Sequence, residues 1–164
     1  MKTKFIAAAL ALSSVAVSGC TPPVAQEDAL GYAYSAVLAE DYVEAAKWFR
    51  VAAKQGNADA QLYLGGMYDD GEGVPENDAD AAKWYRLAAE QGNATAQMIL
   101  GAKYLNGEGV PEDFVQAYKW TNLAAAQGND AAIQGKEFMR NLMTPEQIAE
   151  AQKLSSEWKP VGER

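Results

Sequence analysis

The chain repeats itself with a fixed period. The string Ala-Ala-x-Gln-Gly-Asn ends at Asn57, Asn93 and Asn129, so successive copies lie 36 residues apart. One tryptophan recurs with the same spacing, as Trp48, Trp84 and Trp120. Residues 58–93 and 94–129 align without a gap and match at 21 of 36 positions. Self-similarity at this period is typical of stacked helical repeats, whose function usually resides in a surface rather than in a catalytic pocket.

The first nineteen residues have the features of a secretory signal peptide. Lys2 and Lys4 give a positive start, residues 5–17 are apolar apart from two serines, and small residues follow. The apolar stretch is too short for a convincing membrane span. We therefore assign residues 1–19 to a leader outside the folded domain.

Val17-Ser18-Gly19-Cys20 resembles the lipobox of bacterial lipoproteins. This resemblance implies that Cys20, the single cysteine, becomes the mature N-terminus and carries a diacylglyceryl thioether and an amide-linked acyl chain such as palmitate. Several acyl chains anchor a protein stably where one would not. Thr21 is not the aspartate that favours inner-membrane retention, so the expected location is the cell envelope, at the outer membrane facing the periplasm. Residues 20–26 would form the lipidated tether.

The composition excludes several classes of function. The chain has 14 basic and 22 acidic residues and a net charge of −8, which does not suit nucleic acid. It contains no histidine, and its one cysteine leaves no disulfide, so histidine-dependent catalysis and the usual transition-metal sites are absent. We expect no cofactor, no metal site and no enzymatic activity.

Each full repeat predicts two helices. Asn57 and Asn93 are suitable N-caps for the first helix, because a short side-chain oxygen can accept from free backbone N–H groups. Gly71-Glu72-Gly73-Val74-Pro75 ends that helix, and the same five residues recur at 107–111. Glycine supplies a left-handed C-terminal cap, and proline blocks continuation of the helix.

The second helix of the repeat is predicted to start near Asn77 or Asp113 and to end at the Gln-Gly-Asn turn. Asp80 and Gln116 lie three residues after these caps and resemble the second member of a capping box. Small alanines allow close helix packing, and one tryptophan per repeat fills the space between layers. Tryptophans at identical repeat positions favour a core role over a ligand platform.

The repeated positions resemble the Sel-one-like repeat (SLR) family, relatives of tetratricopeptide repeats (TPR). The residues that carry the resemblance are Ala60, Leu64-Gly65, Tyr68, Gly71-x-Gly73-Val74, Ala81, Trp84-Tyr85, Ala88-Ala89 and Gly92. The resemblance covers about residues 26–158 and implies an all-α fold, a short right-handed α/α solenoid of about four helical hairpins.

Both ends of the array depart from the pattern, as expected where one face of a solenoid meets water. Residues 27–57 lack the Gly-x-Gly-Val loop and form a divergent first repeat, followed by full repeats at 58–93 and 94–129. Residues 130–158 form two capping helices, the second starting at Thr144-Pro145-Glu146-Gln147 and running through Trp158. Residues 159–164 are a tail.

In TPR-like arrays the first helix of each hairpin lines the concave face. By this resemblance the partner-binding candidates are Asp59, Leu62, Asp69, Asp70, Thr95, Met98, Leu105 and Asn106, at all of which the two full repeats differ. Leu62 and Met98 could instead pack against the adjacent hairpin. As a strip, an apolar centre with Asp69 and Asp70 at its edge suits an extended peptide with basic residues.

Two functions remain open. The first is a lipid-anchored envelope adaptor that binds an unidentified protein or peptide without turnover. The second is a cell-wall-directed glycan-binding accessory or hydrolase that uses the acidic loop, with Asp70 and Glu72 as its carboxylates. Such loops are more often solvated than catalytic, although a weak cation site there stays possible. The sequence leaves the oligomeric state open.

Overall fold

The computed structural model describes residues 26–162, which form eight α-helices and no strands. The helices are α1 (Gln26–Leu38), α2 (Tyr42–Lys54), α3 (Ala58–Asp70), α4 (Asp78–Glu90), α5 (Ala94–Asn106), α6 (Phe114–Ala126), α7 (Asp130–Arg140) and α8 (Pro145–Ser156). The all-α solenoid predicted from the sequence is confirmed. Gln26, assigned above to the tether, is the first residue of α1. No helix in this part of the chain is long and apolar enough to cross a membrane.

The Gln-Gly-Asn string forms the turn between successive hairpins. Asn57, Asn93 and Asn129 each accept a hydrogen bond from the backbone N–H three residues later, which satisfies one free donor of the following helix. The preceding glycine lies in the left-handed region, with φ of 94° at Gly56 and 95° at Gly92. Glycine adopts this conformation without the steric cost of a Cβ.

A buried glutamine in the first helix of each full repeat links the turn glutamine to the preceding repeat. Gln97 is fully buried and donates through Nε2 to the carbonyl oxygen of Ala89 at 3.1 Å. Its Oε1 accepts from Nε2 of Gln127 at 2.8 Å, so both ends of the buried amide are satisfied. Gln61 makes the equivalent bonds with Ala53 and Gln91 one repeat earlier. This ladder explains why glutamine recurs in the turn.

The second glycine of each Gly-x-Gly loop lies against the preceding repeat. A Cβ added at Gly109 (φ 68°) would overlap the carbonyl oxygen of Asp78, the first residue of α4. Gly73 (φ 70°) stands in the same relation to Tyr42, the first residue of α2. The backbone of the loop therefore contacts the first residue of the second helix in the preceding repeat. This contact is so close that only glycine fits at the position.

The core is built from alanines and a few large side chains. Helices α3 and α5 each approach their partner helix closely at a glycine: a Cβ at Gly65 would lie 2.8 Å from the ring of Tyr85, and one at Gly101 would overlap the hydroxyl of Thr121. Trp120 is buried, while Trp48 and Trp84 are partly buried and pack against the cluster that contains Phe49 and Leu64. The tryptophans therefore contribute to the core.

The last two helices pack differently from the first three hairpins. Helices α7 and α8 both pack mainly against α6, and Met139, Met143 and Ala151 surround the buried Tyr118. Helix α8 opens with a complete capping box between Thr144 and Gln147 but ends at Ser156, before Trp158.

The residues beyond α8 continue back along the array. Trp158 contacts Trp120 edge to face at 6.2 Å between ring centroids. Val161 then donates its backbone N–H to the carbonyl oxygen of Glu90 at 2.8 Å. The described part of the tail is thus attached to the end of α4.

Candidate partner-binding groove

The first helices of the hairpins leave a groove between them. Helix α3 packs mainly against α2 and α4, and α5 packs mainly against α4 and α6, so successive first helices do not close on one another. The resulting groove has a volume of about 680 Å³. Its lining residues are Val37, Tyr42, Phe49, Leu62, Tyr63, Gly66, Met67, Asp70, Glu72, Tyr85, Thr95 and Ile99.

One wall of the groove is aromatic. The rings of Phe49 and Tyr63 stack with centroids 5.2 Å apart, and Tyr34 meets Tyr63 edge to face at 5.4 Å. Phe49 is buried beneath, whereas 48% of Tyr63 is exposed. Burial, followed by the neighbouring Tyr63 and then Asp59, raises the pKa of Tyr34 to about 12. An exposed ring held in place by stacking on a buried ring offers contact area without a large loss of side-chain entropy on binding.

The rim of the groove is acidic. Asp70, the last residue of α3, and Glu72, in the following loop, are both exposed and line the groove. Neither makes a side-chain ion pair with another residue of the described chain. Tyr85 lies below them, and its pKa is raised by burial and then by the carboxylates of Asp69 and Asp70. Its hydroxyl therefore stays protonated and donates to Oδ2 of Asp69 at 3.5 Å.

Asp69 is committed to an internal ion pair. Its Oδ1 lies 2.5 Å from Nζ of Lys103, which also contacts Asp78 at 3.1 Å and Glu108 at 3.9 Å. Only 3% of the Lys103 side chain is exposed. Burial lowers the pKa of Lys103, but the hydrogen bonds and charges of Asp69 and Asp78 outweigh it and raise the pKa overall. Asp69 thus connects α3 to α5 and is not a free carboxylate at the groove edge.

Three of the predicted partner-binding residues line the groove: Leu62, Asp70 and Thr95. Leu62 is partly buried and also packs against the cluster around Leu100 and Trp120, so the alternative packing role named above holds for it. Met98 and Leu105 line a smaller, almost wholly apolar pocket of about 80 Å³ between α5, α6 and α7.

The remaining three predicted residues, with the ion-paired Asp69 among them, lie outside both pockets. Asp59 accepts from Nδ2 of Asn93 at 3.3 Å, and Asn106 donates to Oε1 of Glu108 at 3.0 Å. Their proposed contact with a partner stays a prediction.

The Sel1 repeat family model matches the chain at residues 28–57, 58–93 and 94–129. The chain belongs to the Sel1 repeat family. A comparison with curated proteins gives no match. Proteins with Sel1 repeats are generally protein-interaction scaffolds and are typically not catalytic.

Solved structures with the same fold include other Sel1 repeat proteins. A protective antigen present in uropathogenic Escherichia coli strains, which displays an SLR fold, is 32% identical with a TM-score of 0.75. That alignment covers 80% of this chain and 29% of the antigen, so the chain spans less than a third of the antigen's length. A Sel1 repeat protein from Oxalobacter formigenes is 35% identical with a TM-score of 0.65, over 68% of this chain and 87% of that one.

A more distant neighbour shares the fold alone. Helicobacter pylori cysteine rich protein B is 21% identical with a TM-score of 0.54, and the alignment covers 66% of this chain and 92% of that chain.

The sequence reasoning missed the aromatic wall of this Sel1 repeat protein. Tyr63 aligns with Ile99 in the next repeat, so the rule that selected differing positions would have found it. Tyr34 and Phe49 could not be found in this way, because their role depends on how the divergent first hairpin packs beside α3.

The groove is lined mainly by apolar and aromatic side chains, and its rim carries two exposed carboxylates. The described residues contain no group of three or more side chains placed to hold a metal ion. Asp70 and Glu72, the carboxylates of the alternative hydrolase hypothesis, are exposed at the rim, and no other observation favours a reaction there.

Proposed function

We propose that this Sel1 repeat protein is a lipid-anchored scaffold of the cell envelope that binds a protein or peptide partner in the groove between α1, α3 and α5. The observation that carries this proposal is the exposed Tyr63, which stacks on the buried Phe49 in a groove of about 680 Å³. An apolar, largely preformed cleft with a few polar groups at its edge is the usual form of a binding site.

The scaffold role follows from how the chain uses its repeated residues. The buried glutamines and the loop glycines serve contacts between hairpins, and Gly65 and Gly101 bring the two helices of one hairpin together. They fix the relative positions of α1, α3 and α5 and leave the side chains between these helices free to differ. Pre-ordered binding surfaces lose less entropy when a partner docks.

The envelope location rests on the leader and on Cys20, which lie outside the described residues. A charged start, an apolar run, small residues and a lone cysteine coincide there. Lipid on Cys20 would attach the domain to the membrane within a few residues of α1, and would hold the groove near the bilayer surface.

Site-specific crosslinking in host cells tests the binding role. A photoreactive amino acid at Thr95, inside the groove, should capture a partner, whereas one at the exposed Lys83 of α4 should not. Adding Tyr63→Ser should reduce capture at Thr95 at least fivefold. The matched control is Leu87→Ser, which alters a 37% exposed residue on α4 and should leave capture unchanged.

Equal capture at both positions, or none at Thr95 although the protein is folded, would refute the groove as the binding site. Circular dichroism of each variant establishes that the helices are intact.

A further inference from the structure

The charges of this Sel1 repeat protein are divided between its two sets of helices. Among the described side chains, α1, α3 and α5 carry four acids, namely Asp28, Asp59, Asp69 and Asp70, and a single base, Lys103. Helices α2, α4 and α6 carry six bases, namely Lys47, Arg50, Lys54, Lys83, Arg86 and Lys119, against four acids. The helices that flank the groove therefore belong to the acidic set, whereas Tyr42 and Phe49 of α2 and Tyr85 of α4 contribute only uncharged side chains to its lining.

The buried lysine does not neutralise the rim of the groove. Nζ of Lys103 is occupied by Asp69, Asp78 and Glu108. Asp70 and Glu72 are left as exposed carboxylates at the groove edge, and no lysine or arginine among the described residues forms an ion pair with either. Two like charges beside a low-polarity wall favour a ligand that brings positive charge, because the wall weakens solvent screening.

The aromatic wall supplies a second kind of contact. Tyr63 lies seven residues before Asp70 on α3, lines the same groove and has an exposed ring. An apolar side chain next to a ligand cation can pack against this ring.

We propose that the groove selects a peptide segment carrying a lysine or arginine, with the cation held by Asp70 and Glu72 and an adjacent apolar side chain against Tyr63. This inference rests on the proposed function, because it names the chemistry of the partner for the same groove. It differs from the expectation drawn from sequence, in which Asp69 and Asp70 formed the acidic edge.

Selection from a random twelve-residue peptide library displayed on phage, with the purified full chain as target, tests the proposal. Binders whose capture is lost with Tyr63→Ser should be enriched in lysine or arginine beside an apolar residue. Tyr63-dependent binders without basic residues would overturn this inference and leave the proposed function standing. A lack of any Tyr63-dependent binder would overturn both.

A thermodynamic cycle then locates the cation. The strongest arginine-containing binder is synthesised together with a version in which citrulline, the neutral isostere, replaces arginine. We expect citrulline to weaken binding about tenfold, and the double variant Asp70→Asn/Glu72→Gln to weaken binding of the arginine peptide by a similar factor. The double variant should leave binding of the citrulline peptide unchanged.

The control variant Asp130→Asn/Glu150→Gln changes the net charge equally, at exposed positions on α7 and α8 away from the groove. It should retain at least half of the affinity for the arginine peptide. If it weakens binding as much as the groove variant, the preference comes from overall charge and the assignment to Asp70 and Glu72 is wrong. If the groove variant weakens both peptides equally, those carboxylates shape the groove without contacting the cation.

Discussion

The buried lysine at the junction of repeats two and three gives the sharpest stability prediction. Lys103 connects α5 to Asp69 at the end of α3, to Asp78 at the start of α4 and to Glu108 in the loop. Its counterpart one repeat earlier is Met67, which is 6% exposed and apolar. The same buried position is thus occupied by an ion-paired lysine in one repeat and by an apolar methionine in the other.

The magnitudes follow from what each substitution leaves behind. Lys103→Met keeps the volume of the side chain and leaves three partly exposed carboxylates that can rehydrate, so we expect a loss of about 1–2 kcal/mol. Lys103→Ala also opens a cavity, and truncation of a long buried side chain costs about 2–5 kcal/mol. Asp69→Asn leaves the buried lysine with its two more exposed partners and should cost about 1–2 kcal/mol.

Two further variants separate charge pairing from packing. With Lys103→Met already present, Asp69→Asn should cost almost nothing, because the carboxylate no longer has a cation to hold. Met67→Lys should be the most damaging change, at about 3–5 kcal/mol, since α1 ends in the apolar Val37-Leu38 and Tyr42 stands where Asp78 does, which leaves only Glu72, the counterpart of Glu108.

Urea unfolding monitored by circular dichroism measures these differences. The pKa of Lys103 is higher in the folded protein than in the unfolded chain, where a lysine has a pKa of about 10.4. The contribution of Lys103 to the free energy of unfolding is therefore fully present below that unfolded pKa and is lost as the pH rises through the folded pKa. The gap between wild type and Lys103→Met should therefore be constant from neutral pH to about 9 and shrink above about 10.5. Equal losses for Lys103→Met and Lys103→Ala, or no loss for Asp69→Asn, would refute the ion-pair account.

Four other predictions follow from the structure. Gly109→Ala should destabilise the fold by at least about 2 kcal/mol more than Gly128→Ala, as measured by urea unfolding. Both glycines have a positive φ, but only a Cβ at position 109 would overlap a neighbouring backbone, at the carbonyl group of Asp78. Gln97→Leu should cost about 1–3 kcal/mol by leaving the carbonyl of Ala89 and the amide of Gln127 without their buried partners, and a neutral result would show that the ladder contributes nothing. Tyr34→Phe should leave the tyrosinate absorbance of the folded protein unchanged up to pH of about 10.5, since Tyr34 ionises near 12; a loss of absorbance at pH 10 would contradict this. Cys20→Ser should abolish metabolic labelling with a palmitate analogue and block maturation, and normal processing of the variant would end the lipoprotein proposal.

The fold was predictable because its determinants are local and repeated. Asn57 caps a helix, Gly71 ends one in the left-handed conformation (φ 69°), and a proline follows the loop. Each of these signals depends on a few adjacent residues, and the recurrence in the next repeat confirms the interpretation. The family resemblance follows from the same positions, since these are the ones that recur.

The site was only partly predictable because it depends on contacts between elements that do not repeat. The sequence placed Leu62, Asp70 and Thr95 at the groove through the position of the first helices. It could not show that Lys103 reaches Asp69, because the two residues lie on different helices and neither the period nor the charge pattern links them. It likewise could not show that Tyr34 of the divergent hairpin meets Tyr63.

The replacement of Met67 by Lys103 one repeat later links the scaffold to the groove. A lysine at this position neutralises Asp69, which otherwise would crowd Asp70 and Glu72 with a third carboxylate charge near the buried Tyr85. Lys103→Met should therefore do more than reduce stability: it should increase the negative potential at the rim and strengthen binding of a cationic peptide at low salt. That gain should disappear in the double variant that also carries Asp69→Asn, because Asp69 is the carboxylate that Lys103→Met releases. A peptide affinity that falls with Lys103→Met while the helices remain intact would instead mean that the lysine orders the groove, and that the separation drawn here between scaffold and binding surface is false.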